Sequence, residues 1–197
     1  MTQSVEFFFD FLSPYSYLAS TQLESLDADI QLRPMNVLKV MDAVGNVPTT
    51  LTCKAKGAYV QQDMGRWLKR YRVAFNPSKI PLNDGEACAK AVLAAGNAQE
   101  AMAITKALYQ NIWGQAQTLK DVSAVLAALK EAGIETTGIA ERIESSEVAA
   151  KLDSNNEGAA KRGVFGAPTL FVGDAMFFGN DRLDFVREEL AREEATA

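Results

Sequence analysis

Two serines, Ser13 and Ser16, form the pattern Ser-Pro-x-Ser in FDFLSPYSYLA (residues 9–19), where an apolar run gives way to a helical pattern. A disulfide-exchanging protein would carry Cys-Pro-x-Cys in such a position, because a thiolate is the attacking group. Ser13 is no activated nucleophile, since the chain has no histidine to take its proton and no Ser-x-x-Lys pattern. Its hydroxyl can still donate a hydrogen bond to a thiolate at the start of the following helix, where backbone N–H groups favour negative charge.

The absence of histidine also excludes other chemistry from this chain. Ser-His-Asp and Cys-His catalysis and histidine-ligated metal sites all require that residue, and we expect no metal site. Cys53 and Cys88 lie far apart in the sequence and match neither a Cys-x-x-Cys redox pair nor half of a zinc site. We predict that both are free thiols, which argues against a dithiol-disulfide oxidoreductase.

Composition and charge indicate a globular protein without a nucleic-acid or membrane partner. Of the 197 residues, 48% are hydrophobic and 23% charged, and the net charge of −5 provides no basic field for an anionic partner. No apolar stretch approaches the roughly 20 residues that a membrane helix requires. The first 15 residues lack the features of a signal peptide, so we expect a cytoplasmic location.

The sequence predicts strands near both ends of the chain, and these strands must hold Ser13 in place. The apolar runs predict strands at residues 5–11, 29–35, 169–172 and 175–178, with a Gly-Asp turn between the last two. Ser13 suits the N-cap and Pro14 the first position of a helix that runs to about residue 26. A final helix is predicted from about Asp181.

The middle of the chain is alanine-rich and helical in pattern, with a loop predicted before a helix that begins at Tyr59. We therefore predict one α/β domain over residues 1–197. Its sheet is formed by a β-α-β half (residues 1–38) and a β-β-α half (residues 160–197), because neither half alone buries enough surface. An all-α subdomain is inserted at about residues 39–159.

This order of elements resembles the DsbA-like thioredoxin fold. The chain is similar to one branch of that family, which contains 2-hydroxychromene-2-carboxylate isomerase and kappa-class glutathione transferase. The similarity lies in five motifs in the same order along nearly the whole chain: FDFLSPYSYLA, GNVP, KGAYVQQDMGRW, GVFGAPTLFV and FFGNDRLDFV. The chain departs from some relatives at Thr49, where they have a second proline, and at Ala167, where valine is common.

The resemblance implies that glutathione supplies the missing sulfur. It implies that Ser13 points at the glutathione thiol, that the Ala167–Pro168 peptide is cis, and that the backbone of Ala167 pairs with the cysteinyl unit. The further glutathione-binding residues that it implies are Asn46, Lys56, Pro168, Asn180 and Asp181. We also predict that Tyr15, Phe165, Trp67 and Phe178 form an aromatic wall for the second substrate.

Each of these residues also has an ordinary structural interpretation that the sequence leaves open. Ser13 suits a plain helix cap, Pro168 suits a trans proline that starts an edge strand, and Asp181 suits the first turn of a helix. Asn46 is typical of a turn, and Lys56 of a solvated surface. Aromatic side chains at such spacing are common in a hydrophobic core.

The resemblance predicts a glutathione-dependent isomerase of 2-hydroxychromene-2-carboxylate, a small aromatic carboxylate of naphthalene degradation, or of a related intermediate. The product would be trans-o-hydroxybenzylidenepyruvate. The alternative is a kappa-like glutathione transferase or peroxidase that acts on electrophiles. A non-catalytic thioredoxin-fold binding module is a third hypothesis. The family also implies a homodimer.

Overall fold

The computed structural model describes the backbone of residues 3–196 and the side chains of residues 3–192. Its centre is a four-stranded sheet with the order β2-β1-β3-β4. The strands are β1 (Ser4–Phe9), β2 (Asp29–Pro34), β3 (Thr169–Val172) and β4 (Ala175–Phe178). β1 pairs with β2 in parallel and with β3 antiparallel, and β3 pairs antiparallel with β4. The two ends of the chain therefore meet at the centre of one sheet.

Helices connect the strands in the predicted order. Helix α1 (Pro14–Ser20) joins β1 to β2, and α10 (Leu183–Thr196) follows β4. Between β2 and β3 lie α2 (Val37–Ala43), α3 (Thr49–Thr52), α4 (Lys54–Tyr71), α5 (Gly85–Leu93), α6 (Ala98–Tyr109), α7 (Val122–Glu131), α8 (Thr137–Arg142) and α9 (Ser146–Lys161). A π-helical turn, Gln110–Gly114, extends α6.

Both faces of β1 are buried, which explains its unbroken apolar run. Phe7 and Phe9 point to one face, where their rings stack with centroids 4.9 Å apart and join a cluster that includes Leu108 of α6. Phe8 points to the other face and contacts Phe171 of β3 edge to face. The inserted helices thus bury both faces of β1, in a larger cluster on the side of Phe7 and Phe9 and in a smaller, separate cluster around Phe8.

Three predicted strand or helix ends were wrong near the start of the chain, and the smallest difference is in β2, which ends at Pro34 rather than at residue 35. β1 ends at Phe9 rather than at residue 11, because the next two carbonyls accept hydrogen bonds from side chains instead of from a neighbouring strand. Helix α1 ends at Ser20 rather than near residue 26. The hydroxyls of Ser20 and Thr21 donate to carbonyls of that helix, and a separate 3₁₀ turn, Leu23–Leu26, follows.

Two helices begin at residues other than those predicted. The helix expected at Tyr59 begins at Lys54, directly after α3 and an extended Cys53. Lys54, Ala55 and Lys56 are adequate helix formers, and Gly57 does not stop the helix. The final α-helix begins at Leu183, after a 3₁₀ turn over Asn180–Arg182.

Between residues 3 and 196, no helix combines the length and the apolar character needed to cross a bilayer.

A half-buried ion cluster on the sheet allows a test of pH dependence. Glu6 of β1 pairs with Arg33 at 2.9 Å and with Arg162 at 2.6 Å. Burial opposes ionisation of Glu6, but the two arginines outweigh it and hold its pKa below the usual value. This stabilisation is therefore present above the unfolded pKa and is lost as the pH falls through the folded pKa.

We expect Glu6→Gln to lower the free energy of unfolding at pH 7 by about 1 kcal/mol. The difference from wild type should shrink as the pH falls through the carboxyl range, because protonation then removes the ion pairs from wild type as well. Urea unfolding between pH 3 and pH 7 measures it. Glu157→Gln, which removes an exposed pair with Lys161, is the control. A difference that is independent of pH would contradict this explanation.

Candidate functional site

Ser13 lies between the end of β1 and the start of α1, where it is the N-cap residue. Its Oγ accepts a hydrogen bond from the Ser16 amide at 3.2 Å, and its carbonyl accepts from the Tyr17 amide at 3.1 Å. The same hydroxyl donates to the Ala167 carbonyl at 3.3 Å. The structure thus joins Ser13 and Ala167, two residues predicted for one site from opposite ends of the chain.

The start of α1 has two donors that can face an anion. Pro14 has no N–H, the amides of Ser16 and Tyr17 are paired, and the Tyr15 amide has no partner among the described residues. The Ser13 hydroxyl is the second donor, because it can turn away from Ala167. Both lie at the positive end of the helix, which is the arrangement that favours a thiolate.

The loop before Ser13 is held in place by the inserted helices. Tyr109 donates its hydroxyl to the Asp10 carbonyl at 3.1 Å, and the Trp113 indole donates to the Phe11 carbonyl at 2.8 Å. The two carboxylate oxygens of Asp10 accept from the amides of Leu12 and Val37, each at 2.8 Å. Burial raises the pKa of this carboxyl above its usual value, although both amide bonds oppose the rise.

Asp10 is not among the residues that the sequence predicts for the site. One feature of the sequence could have identified it: Asp10 is a single acidic residue within the aromatic run FFFDF. A carboxyl group in such a buried run requires hydrogen-bond partners. Its partners come from the following loop and from α2, so spacing along the chain does not identify them.

The loop that leads into β3 lies beside Ser13. The peptide bond between Ala167 and Pro168 is cis, and the Pro168 carbonyl accepts from the Gly179 amide at 2.9 Å. Asn46 reaches the same loop, because its Nδ2 donates to the Phe165 carbonyl at 2.7 Å. Four of the predicted site residues, Ser13, Asn46, Ala167 and Pro168, are therefore close together.

Asn180 and Asp181 follow β4 in a 3₁₀ turn that packs against α1. Asn180 is buried, and its side-chain Nδ2 makes no hydrogen bond within residues 3–192. The backbone carbonyl of Asn180 accepts a hydrogen bond from the Tyr71 hydroxyl at 3.0 Å. Asp181 is half-exposed and pairs with Arg182 at 2.7 Å. An unpaired buried amide beside a carboxylate suits a ligand that has both a carboxylate and an amino group, as glutathione does.

Lys56 is less closely connected to the others. Its Nζ donates to Thr49 Oγ1 at 2.8 Å across α3 and α4; Lys56 is exposed and Thr49 is half-buried. Within residues 3–192 it makes no hydrogen bond to another predicted site residue. The sequence departure at Thr49 thus has a structural consequence, because a proline there could not accept this bond.

The predicted aromatic residues lie in two pairs. Tyr15 and Trp67 both donate to Asp63, which the sequence did not predict for the site. Phe165 packs on Phe178 with ring centroids 4.6 Å apart, and both rings are more than one-third exposed. No ring contact joins the two pairs in the part of the chain whose side chains are described.

The two cysteines are free, as predicted. Cys88 is buried, and burial raises the pKa of its thiol far above the usual value. Cys53 is exposed at the start of α4. Neither occupies the position of Ser13 or Ser16, so the chain itself brings no thiol to the start of α1.

The family model described as the DSBA-like thioredoxin domain matches residues 4–191. The chain belongs to this family. A 2-hydroxychromene-2-carboxylate isomerase of Sphingobium xenophagum is 32% identical to it over 196 residues, which cover 96% of this chain and 99% of the relative. Human glutathione S-transferase kappa 1 is 28% identical, and the match covers 94% and 90% of the two chains.

A solved structure of a 2-hydroxychromene-2-carboxylate isomerase superposes with a TM-score of 0.84 at 28% identity, over 96% of this chain and 95% of the other. These matches confirm the predicted thioredoxin-like fold with inserted helices. They also confirm the predicted resemblance to the branch of hydroxychromene carboxylate isomerases and kappa-class transferases.

Proposed function

We propose that the protein is a glutathione-dependent isomerase. Its substrate would be 2-hydroxychromene-2-carboxylate or a related intermediate of aromatic degradation, such as that of naphthalene, and its product trans-o-hydroxybenzylidenepyruvate. The observation that carries the proposal is the contact between Ser13 and Ala167, in a chain that resembles isomerases of that name over nearly its full length.

The residues near Ser13 fit the groups of a tripeptide thiol. The backbone of Ala167 would pair with the cysteinyl unit, and this pairing would put the thiol beside Ser13. Asn180 has an unpaired buried amide for a carboxylate, and Asp181 has a half-exposed carboxylate for an amino group. The half-buried Asn46 and the exposed Lys56 have side-chain donors for the other carboxylate end.

When bound, glutathione would supply a thiolate that adds reversibly to a conjugated carbon and so turns a stiff double bond into a rotatable single bond. Ser13 and the Tyr15 amide would stabilise negative charge before addition and after elimination. Before it can do so, the Ser13 hydroxyl must give up its bond to the Ala167 carbonyl. A backbone donor from the ligand would replace it there, so the carbonyl stays satisfied.

Product analysis tests this proposal. We expect purified protein to isomerise 2-hydroxychromene-2-carboxylate over many turnovers for each glutathione molecule, with the glutathione concentration unchanged. The product is followed by absorbance and glutathione by thiol titration. Without glutathione the rate should fall to the uncatalysed value. A glutathione-independent rate, or no isomerisation at saturating glutathione, would contradict the proposal.

The second candidate is a kappa-like transferase, which the 28% identity to the human kappa enzyme favours. It would use the same residues to stabilise the thiolate, but glutathione would leave joined to the electrophile. The same assay distinguishes the two, since a transferase consumes one glutathione for each product molecule. The expected homodimer stays a prediction.

A further inference from the structure

One carboxylate oxygen holds two aromatic side chains beside the proposed glutathione site. Asp63 Oδ2 accepts from the Tyr15 hydroxyl at 3.0 Å and from the Trp67 indole N–H at 3.1 Å. Its other oxygen lies 3.7 Å from Arg66. Tyr15 lies two residues after Ser13 on α1, whereas the other residues are on α4. The carboxylate therefore connects α1, the helix that Ser13 caps, to α4, a helix of the insertion.

The burial of this group makes the connection strong. The Asp63 side chain is 19% exposed, and Tyr15 and Trp67 are half-buried. Burial, followed by the hydrogen bond to Asp63, raises the pKa of Tyr15 above its usual value. Tyr15 is therefore a neutral donor near pH 7, and hydrogen bonds to a charged acceptor are stronger than those between neutral groups.

The two rings differ in their surroundings. The Tyr15 ring contacts no other ring or cation among residues 3–192, whereas the Trp67 ring contacts Tyr71, with centroids 5.2 Å apart, and the Arg70 guanidinium at 5.4 Å. The Tyr15 hydroxyl and the Trp67 indole N–H both donate to Asp63, so neither donor is available to a second substrate. Asp63, Trp67 and Tyr71 follow each other at four-residue spacing on one face of α4, and the Tyr71 hydroxyl donates to the Asn180 carbonyl. This face thus runs from Tyr15 to Asn180, along the proposed glutathione site.

We propose that Asp63 is a positioning residue that orients the rings of Tyr15 and Trp67 to contact the aromatic part of the second substrate. This inference rests on the proposed function. It assigns to Asp63 an effect on binding of the aromatic carboxylate and none on binding of glutathione. Aromatic faces bind aromatic ligands through stacked or edge-to-face contacts, which depend on ring orientation.

Kinetics of Asp63→Ala, Asp63→Asn and Asp153→Ala test this role. Asp153 is exposed on α9 and is the control for loss of a carboxylate. We expect Asp63→Ala to raise KM for the chromene carboxylate about tenfold, as for loss of a hydrogen bond to a charged group, while Kd for glutathione stays unchanged. Asp63→Asn should recover most of the loss, because its amide oxygen can accept both bonds.

A spectroscopic measurement is independent of turnover. Trans-2-hydroxycinnamate, an unreactive aromatic carboxylate, should quench the fluorescence of Trp67 on binding. The variant Trp67→Phe shows how much of the fluorescence change comes from Trp67. We expect about tenfold weaker binding to Asp63→Ala than to wild type or Asp63→Asn. If Asp63→Ala does not fold, Tyr15→Phe removes one of the two bonds and should weaken binding about threefold.

The outcomes distinguish this inference from the proposed function. If wild type binds the cinnamate with these effects but does not isomerise the chromene carboxylate, the proposed function fails and the role of Asp63 stands. If binding of the cinnamate is absent, or is equal in wild type and Asp63→Ala, the inference is overturned. Equal losses of glutathione and cinnamate binding in Asp63→Ala would also overturn it, since they indicate a general structural role.

Discussion

Ser13→Ala is expected to lower kcat/KM for isomerisation by about 10- to 100-fold and to raise the pKa of the bound glutathione thiol. A hydrogen bond to a charged group contributes about 1.5–3 kcal/mol, and each 1.4 kcal/mol changes a rate or an equilibrium tenfold. The Tyr15 amide remains in the variant, so part of the thiolate stabilisation should persist. Thiolate absorbance near 240 nm against pH, together with steady-state kinetics, measures both effects.

The same substitution removes a helix cap, because Ser13 Oγ accepts from the Ser16 amide at 3.2 Å. Ser145→Ala is the matched control, since Ser145 caps α9 through the Val148 amide at the same distance. Both variants should lose about 1 kcal/mol of stability, but only Ser13→Ala should lose activity. Ser13→Gly keeps most of the capping preference without the hydroxyl and should be as inactive as Ser13→Ala. If Ser13→Gly were active, Ser13 would act only as a helix cap, without a role in isomerisation.

Asp10→Ala is expected to lower the free energy of unfolding by about 2–5 kcal/mol. The substitution leaves the amides of Leu12 and Val37 without their acceptor, and each unsatisfied buried donor costs about 1–3 kcal/mol. For a chain of this length the loss corresponds to a fall in Tm of about 4–20 °C. Calorimetry or thermal circular dichroism measures it.

Asp121→Ala is the control for this prediction. Asp121 caps α7 through one bond, to the Ala124 amide at 2.8 Å, so its loss should cost only about 1 kcal/mol. Asp10→Asn should lie between Asp10→Ala and wild type, because its amide group offers one acceptor oxygen where the carboxylate offers two. Equal costs for Asp10→Ala and Asp121→Ala would show that one of the Asp10 bonds contributes nothing.

The sequence by itself determined the order of the elements and the place of Ser13. Apolar runs with Gly and Pro at their ends predicted β3 and β4 with their observed bounds, and Ser-Pro predicted the start of α1. These features depend on residues next to each other in the chain, whose preferences are local. The family motifs then associated Ser13 with Ala167, and the hydrogen bond between the two agrees with that association.

Only the tertiary structure decided which side chains surround Ser13. Asp63 reaches Tyr15 across 48 positions of the chain, and Tyr109 reaches Asp10 across 99. The helical pattern of α4 fits Asp63 equally well as a solvated surface residue, because periodicity indicates a face of a helix and not the partner of that face. The contact of α4 with α1 gives Asp63 its two aromatic partners, and such packing between distant segments cannot be derived from local preference.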